Sequence, residues 1–205
     1  MELDPRTTAV VAVHYQGDIV GPDGAFAGFF HQQVAERNVL DVTKGVLDAA
    51  RAAGVPVVYT RVAWQPDYSD LNANSPLLGI VAQSGCLKDG SPLADIVAEV
   101  APGEGDEVVT HKRVGGFTDS GLHELLQSRG VQTVLFTGVA TNASVEGTAR
   151  QASDLGYRVI VVEDACSAAT PAAHQASIES LGLLAEIASA ADITTALSAK
   201  ENAPA

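Results

Sequence analysis

Positive charge is scarce in this chain. Twelve lysines and arginines stand against 25 aspartates and glutamates, a formal net charge of −13 over 205 residues. That balance repels nucleic acid and anionic membranes, whose binding rests on phosphate attraction, so neither is an expected partner. Cysteine is nearly absent too. Cys86 and Cys166 are too few for a disulfide framework and lack zinc-ligand spacing, so each reads as a small buried hydrophobe. No apolar run approaches the ~20 residues of a membrane span, and the start, 1–6, carries no apolar signal core, which makes a cytoplasmic protein the expectation. Internal repeats, charge blocks and linkers are also missing, and the length suits one domain over residues 1–205.

What is present is an alternation of apolar runs and helical spacings. TTAVVAV at 7–13 is continuous and β-branched, as expected for a central parallel strand buried on both faces, and His14 closes it. Residues 32–53 have helical spacing ended by Gly54 and Pro56, and 55–62 form the second strand. The stretch 63–88 reads as a long loop, 95–100 as a short helix, and 107–111 as the third strand. A helix at 118–129, capped by Thr118 or Asp119, is followed by a strand–turn–helix–strand unit over 132–169. A helix at 171–185, a sixth strand within 187–197 and a fraying tail at 198–205 complete the chain. Strands separated by helices throughout predict a three-layer αβα domain on a mainly parallel sheet. Ligands of such sheets bind beyond the carboxyl ends of the strands, which puts His14, Lys112 and the turn before Ser144 at one edge. His111, one residue before Lys112, is expected to point away.

The string GVATNASVEGTARQASDLGYRVIVVEDACSA, 138–168, resembles the signature of the isochorismatase-like hydrolases, and weaker similarity extends from Thr7 to Leu197. The resemblance implies a six-stranded sheet, a cis peptide at Val139-Ala140, an oxyanion turn of Val139, Ala140 and Thr141, a small-molecule substrate and a homodimer or homotetramer. Amidases of that family use an aspartate, a lysine and a cysteine, which map here to His14, Lys112 and Ser144. The segment 64–68 lies where nicotinamidases hold a metal, yet no histidine occurs between His31 and His111, so no metal and no cofactor is expected. Trp64 and Tyr68, with Gln16 and Phe117, are candidates for the substrate wall.

The two exchanges are chemically coherent. A serine hydroxyl needs a base within reach, and histidine is a better base near neutrality than an ordinary aspartate. His14 is therefore the expected acid/base, Ser144 the nucleophile and Lys112 the electrostatic anchor for cleavage of a C–N or ester bond. Two alternatives stand beside this reading: vinyl-ether cleavage of the isochorismatase type with His14 as acid, and a non-catalytic metabolite-binding role in which Ser144 serves only the helix start.

Overall fold

The computed structural model describes the backbone of residues 1–201 and side chains to Ser198. Its elements run β1 (Thr8–Val13), α1 (Gly17–Val20), α2 (Ala27–Glu36), α3 (Val39–Ala52), β2 (Val57–Val62), α4 (Pro76–Ser84), β3 (Glu107–His111), α5 (Leu122–Ser128), β4 (Thr133–Val139), α6 (Glu146–Asp154), β5 (Arg158–Ser167), α7 (Pro171–Leu181), β6 (Glu186–Ala188) and α8 (Ala190–Glu201). The six strands form one sheet in the order β3-β2-β1-β4-β5-β6, and every neighbouring pair is parallel. The chain builds outward from β1 to one edge, then restarts at β4 and builds to the other. The crevice between the ends of β1 and β4 is thus the switch point where doubly wound sheets bind ligands.

All six residues of β1 are buried. Val10 and Ala12 join a core with α3 and α8, whereas Ala9, Val11 and Val13 join one with α5, α6 and α7. Period-two alternation thereby serves both helical layers and explains the unbroken apolar run.

Several boundaries differ from the expectation. The 32–53 helix is two helices, broken where Asn38 adopts a left-handed φ of 51°. The 63–88 loop contains α4, which Ser75 caps by accepting from Leu78 N at 3.4 Å, with Pro76 at its first position and Gly85 left-handed at its end. The expected 95–100 helix is replaced by two 3₁₀ turns, Pro92–Ala94 and Ala98–Val100. Neither Thr118 nor Asp119 caps α5. Left-handed Gly121 precedes it, and the Ser120 hydroxyl accepts from Leu122 N at 3.2 Å. Most of the expected sixth strand is α8: Ser189 accepts from Asp192 N, and Ile193 and Leu197 are buried one turn apart. Within the expected tail, Ser198–Glu201 continue α8, and 202–205 lie outside the described residues.

Candidate active site

Two backbone features shape the crevice. His14 leaves β1 in the left-handed region, φ 58°, while its N–H still donates to Thr60 O at 3.0 Å. A non-glycine residue held there is strained by order 1–3 kcal/mol, a cost the surrounding structure must offset. Beside it, one residue before the end of β4, stands Gly138, φ 139°, where an added Cβ would lie 2.3 Å from Val13 O, so glycine is what lets the two strand ends approach. The Val139-Ala140 peptide is cis. Thr141–Val145 then form a π-helical turn whose first carbonyl, on Ala140, accepts from Ala143 N and Val145 N at 3.1 Å each. Such irregular turns are frequent at functional sites.

A pocket, open to solvent on one side, lies between these ends. Its polar lining residues are His14, Arg113 and Ser144, and the remainder is apolar or aromatic: the cis pair Val139 and Ala140, Trp64, Phe26 and Phe30 from the α2 side, and Leu77, Leu78 and Val81 from α4 among them. His14 is 3% exposed and Ser144 7%. Neither His14 Nδ1 nor the Ser144 hydroxyl makes a hydrogen bond, and neither atom is among the fully buried unpaired ones, so what exposure they retain faces this pocket.

Behind His14 lies His111. The two Nε2 atoms are 2.7 Å apart and the rings stack with centroids 4.8 Å apart. One ring donates and the other accepts, and burial disfavours a charge on either. Burial, then the neighbouring His111, holds the His14 pKa well below the ordinary 6.5, and burial pushes His111 down to about 4. Nδ1 of His111 is buried without a hydrogen-bond partner, as is Nε1 of Trp64. With its proton on Nε2, donated to His111, His14 presents the Nδ1 lone pair to the pocket, and that nitrogen gains an N–H only by taking a proton from a group in the pocket.

His111 corrects the expected orientation: it points towards His14, not away. Lys112, the expected anchor, is absent from the pocket lining. It lies nearly half exposed and pairs with Asp70 at 2.5 Å. The alternation of β3 continues to its end, with 107, 109 and 111 turned inward and 108, 110 and 112 outward, so His111 backs His14, Arg113 lines the pocket and Lys112 faces away. Gln16 is not a wall residue either. Its amide is saturated by Val62 O at 2.8 Å, Ala94 O at 2.7 Å and Val62 N at 2.8 Å. The Tyr68 hydroxyl donates to Cys86 O at 2.6 Å, and Phe117 stacks on Tyr157; neither lines the pocket. Trp64 does.

Thr141 supports the turn from beneath. Its hydroxyl meets His174 Nδ1 at 2.9 Å, His174 Nε2 accepts from Arg37 at 3.0 Å, and Arg37 also donates to the carbonyls of Glu163 and Cys166. Because Nε2 accepts, the His174 proton sits on Nδ1 and donates to Thr141. Burial, then Arg37, lowers the His174 pKa to about 4. Sequence reasoning missed His111, Arg113, His174 and the α4 wall. Only α4 left a readable signal, its Ser-Pro cap and terminal glycine.

Residues 8–192 match the isochorismatase domain family. The chain belongs to that family. It is 35% identical to the ureidoacrylate amidohydrolase RutB of Caulobacter segnis over 82% of this chain and 76% of that protein. It is also 32% identical to the uncharacterized isochorismatase family protein YecD of Escherichia coli O157:H7, over 96% and 100% of the two lengths. Among solved structures, a cysteine hydrolase from Pseudomonas syringae pv. phaseolicola superposes with a TM-score of 0.88 at 26% identity, covering 97% of this chain and 96% of that one. Cys86 and Cys166 of this family member are both buried, with thiol pKa values raised by burial to about 11 and about 12. Neither lines the pocket, so neither stands in for a reactive thiolate.

Proposed function

We propose that this chain hydrolyses an amide or ester bond of a small molecule, with Ser144 as nucleophile and the His14–His111 pair in place of a carboxylate-based proton acceptor. The observation that carries the reading is the shared pocket: an unbonded hydroxyl and an unbonded imidazole nitrogen line the same cavity beside the turn. In the first step Ser144 Oγ bonds to the substrate carbonyl carbon and its proton passes to His14 Nδ1. His14 Nε2–H then donates to His111 Nε2, which spreads the new charge over two rings. The amides of Ala143 and Val145 are held by Ala140 O, so the developing oxyanion is assigned to other backbone amides of the turn, an interaction worth about a hundredfold or more in rate. The carbonyl reforms as the leaving amine or alkoxide takes the proton from His14. Water then attacks the acyl-serine and gives its proton to His14, and serine leaves with that proton as the acid is released. Lys112 has no part in this scheme. The amidohydrolase name of the 35% identical relative supports the reaction class.

The buried, neutral state of His14 disfavours the ether-cleavage alternative, which needs a proton already in place near neutrality. The test is a panel of amides, esters and carbamoyl compounds against wild type, Ser144→Ala and His14→Ala, with intact-mass measurement for an acyl adduct on Ser144. Turnover lost in both variants and a wild-type adduct are the expected results. A Ser144→Ala variant as fast as wild type would remove the nucleophile from the scheme.

A further inference from the structure

Among the described residues, Arg113 is the one lysine or arginine whose side chain has no partner. Arg6, Lys44, Arg51, Arg61, Lys112, Arg129, Arg150 and Arg158 pair with carboxylates, Lys88 lies over the Tyr68 ring, and Arg37 donates to carbonyls and His174. In a protein with 25 acidic side chains, an arginine left unpaired is an exception, and this one is partly buried in the wall of the pocket. Guanidinium is the side chain best shaped to take a carboxylate through two parallel hydrogen bonds.

Away from His14 and Ser144, the wall is of opposite character. Phe26, Phe30, Leu77, Leu78 and Val81 offer no hydrogen bond to a ligand through their side chains. A polar ureido or carbamoyl body set against them would lose its water without gaining partners, whereas an alkyl or aryl body gains about 25 cal/mol for each Å² of apolar surface buried. A second anionic group would find no second cation.

We propose that the pocket takes a monoanionic ligand: an apolar body of several carbons carrying one carboxylate, which binds Arg113. The proposal names the substrate class of the hydrolytic site above and rests on that reading only for the bond broken. If the reading holds, a ligand of this class with a cleavable amide is an N-acyl amino acid, which consumes one water and leaves as a fatty acid and an amino acid.

Three probes separate the components. N-hexanoylglycine has both the apolar body and the carboxylate, N-hexanoylglycinamide has the body without the charge, and N-carbamoylglycine has the charge on a polar body. Their affinities are measured by calorimetry on Ser144→Ala, which holds the ligand intact, alone and combined with Arg113→Gln or Arg113→Lys. N-hexanoylglycine is expected to bind at least about tenfold more tightly than either other probe, Arg113→Gln to remove the advantage over the glycinamide, and Arg113→Lys to restore part of it. Equal affinity for acid and amide, or indifference to Arg113→Gln, overturns the anion site. Equal or tighter binding of N-carbamoylglycine overturns the apolar body, and no binding of any probe overturns both. Turnover is scored separately on wild type. Tight binding with no product formation leaves the ligand class standing and removes the hydrolytic reading, and hydrolysis indifferent to charge does the reverse.

Discussion

The chain buries histidines on two sides of the turn 139–145 and treats them in opposite ways. His174 has a partner on each ring nitrogen, Thr141 and Arg37, and so ties α7, the α2–α3 junction and the turn into one block. His14 and His111 share a single hydrogen bond, leaving one nitrogen open to the pocket and another orphaned inside the protein. A saturated polar network fixes geometry because every departure breaks a bond, whereas an unsaturated pair keeps capacity for a proton that arrives during reaction. The first site is scaffold and the second carries chemistry in our proposal.

Substitutions can break that division. The largest effect is expected from His14→Ala or Ser144→Ala, a loss of about a thousandfold in kcat on any substrate the panel identifies, with little change in melting temperature for Ser144→Ala and a lower one for His14→Ala, which strands His111 Nε2. Loss of stability without loss of rate would reverse the comparison. His174→Phe should do the opposite: two polar partners lose their bonds inside the protein, which costs about 1–3 kcal/mol for each group left unsatisfied, read as a lower denaturant midpoint. His111→Phe should lower that midpoint by less, since it also removes an orphaned nitrogen, while reducing kcat.

Acid sharpens the contrast further. All three histidines have pKa values lowered from 6.5 by burial. Above pH 6.5 both folded and unfolded chains hold them neutral, and below it the unfolded chain binds protons that the fold refuses. Stability should therefore fall as pH drops from 6.5 towards 4, and the triple substitution of His14, His111 and His174 should flatten that dependence. The neutral base persists over the same range, so kcat/KM should hold its plateau through pH 6.5 and decline only at lower pH. A limb centred at 6.5 would mean that the base is a solvated histidine. The smallest effect belongs to Lys112→Ala, which breaks an exposed pair with Asp70 and should leave both melting temperature and rate close to wild type.

How much of this was legible follows from where the information lies. The sheet was readable because buried parallel strands write continuous β-branched runs, as at 7–13, and because glycines stop the intervening helices. Placing His14 and Ser144 at one edge required only that topology. The assignment at 111–113 failed because Lys112 was placed by the resemblance and not by the strand: the ladder reaches His111, opposite Val62, and its alternation turns 107, 109 and 111 inward and leaves 108, 110 and 112 exposed. Gln16 and Tyr68 were misplaced because a polar side chain near a site reads alike whether it meets ligand or backbone, and their partners at 62, 94 and 86 are remote in sequence.

The wall of the pocket and its proton-handling groups come from separable parts of the chain. Leu77, Leu78 and Val81 ride on α4, an excursion between β2 and β3 that supplies no strand to the sheet, whereas His14, His111 and the cis turn are anchored at strand ends. Exchanging the 63–88 segment is thus a way to retune what is admitted while the reacting atoms stay where the sheet holds them, a modular division useful to anyone redesigning selectivity on this scaffold.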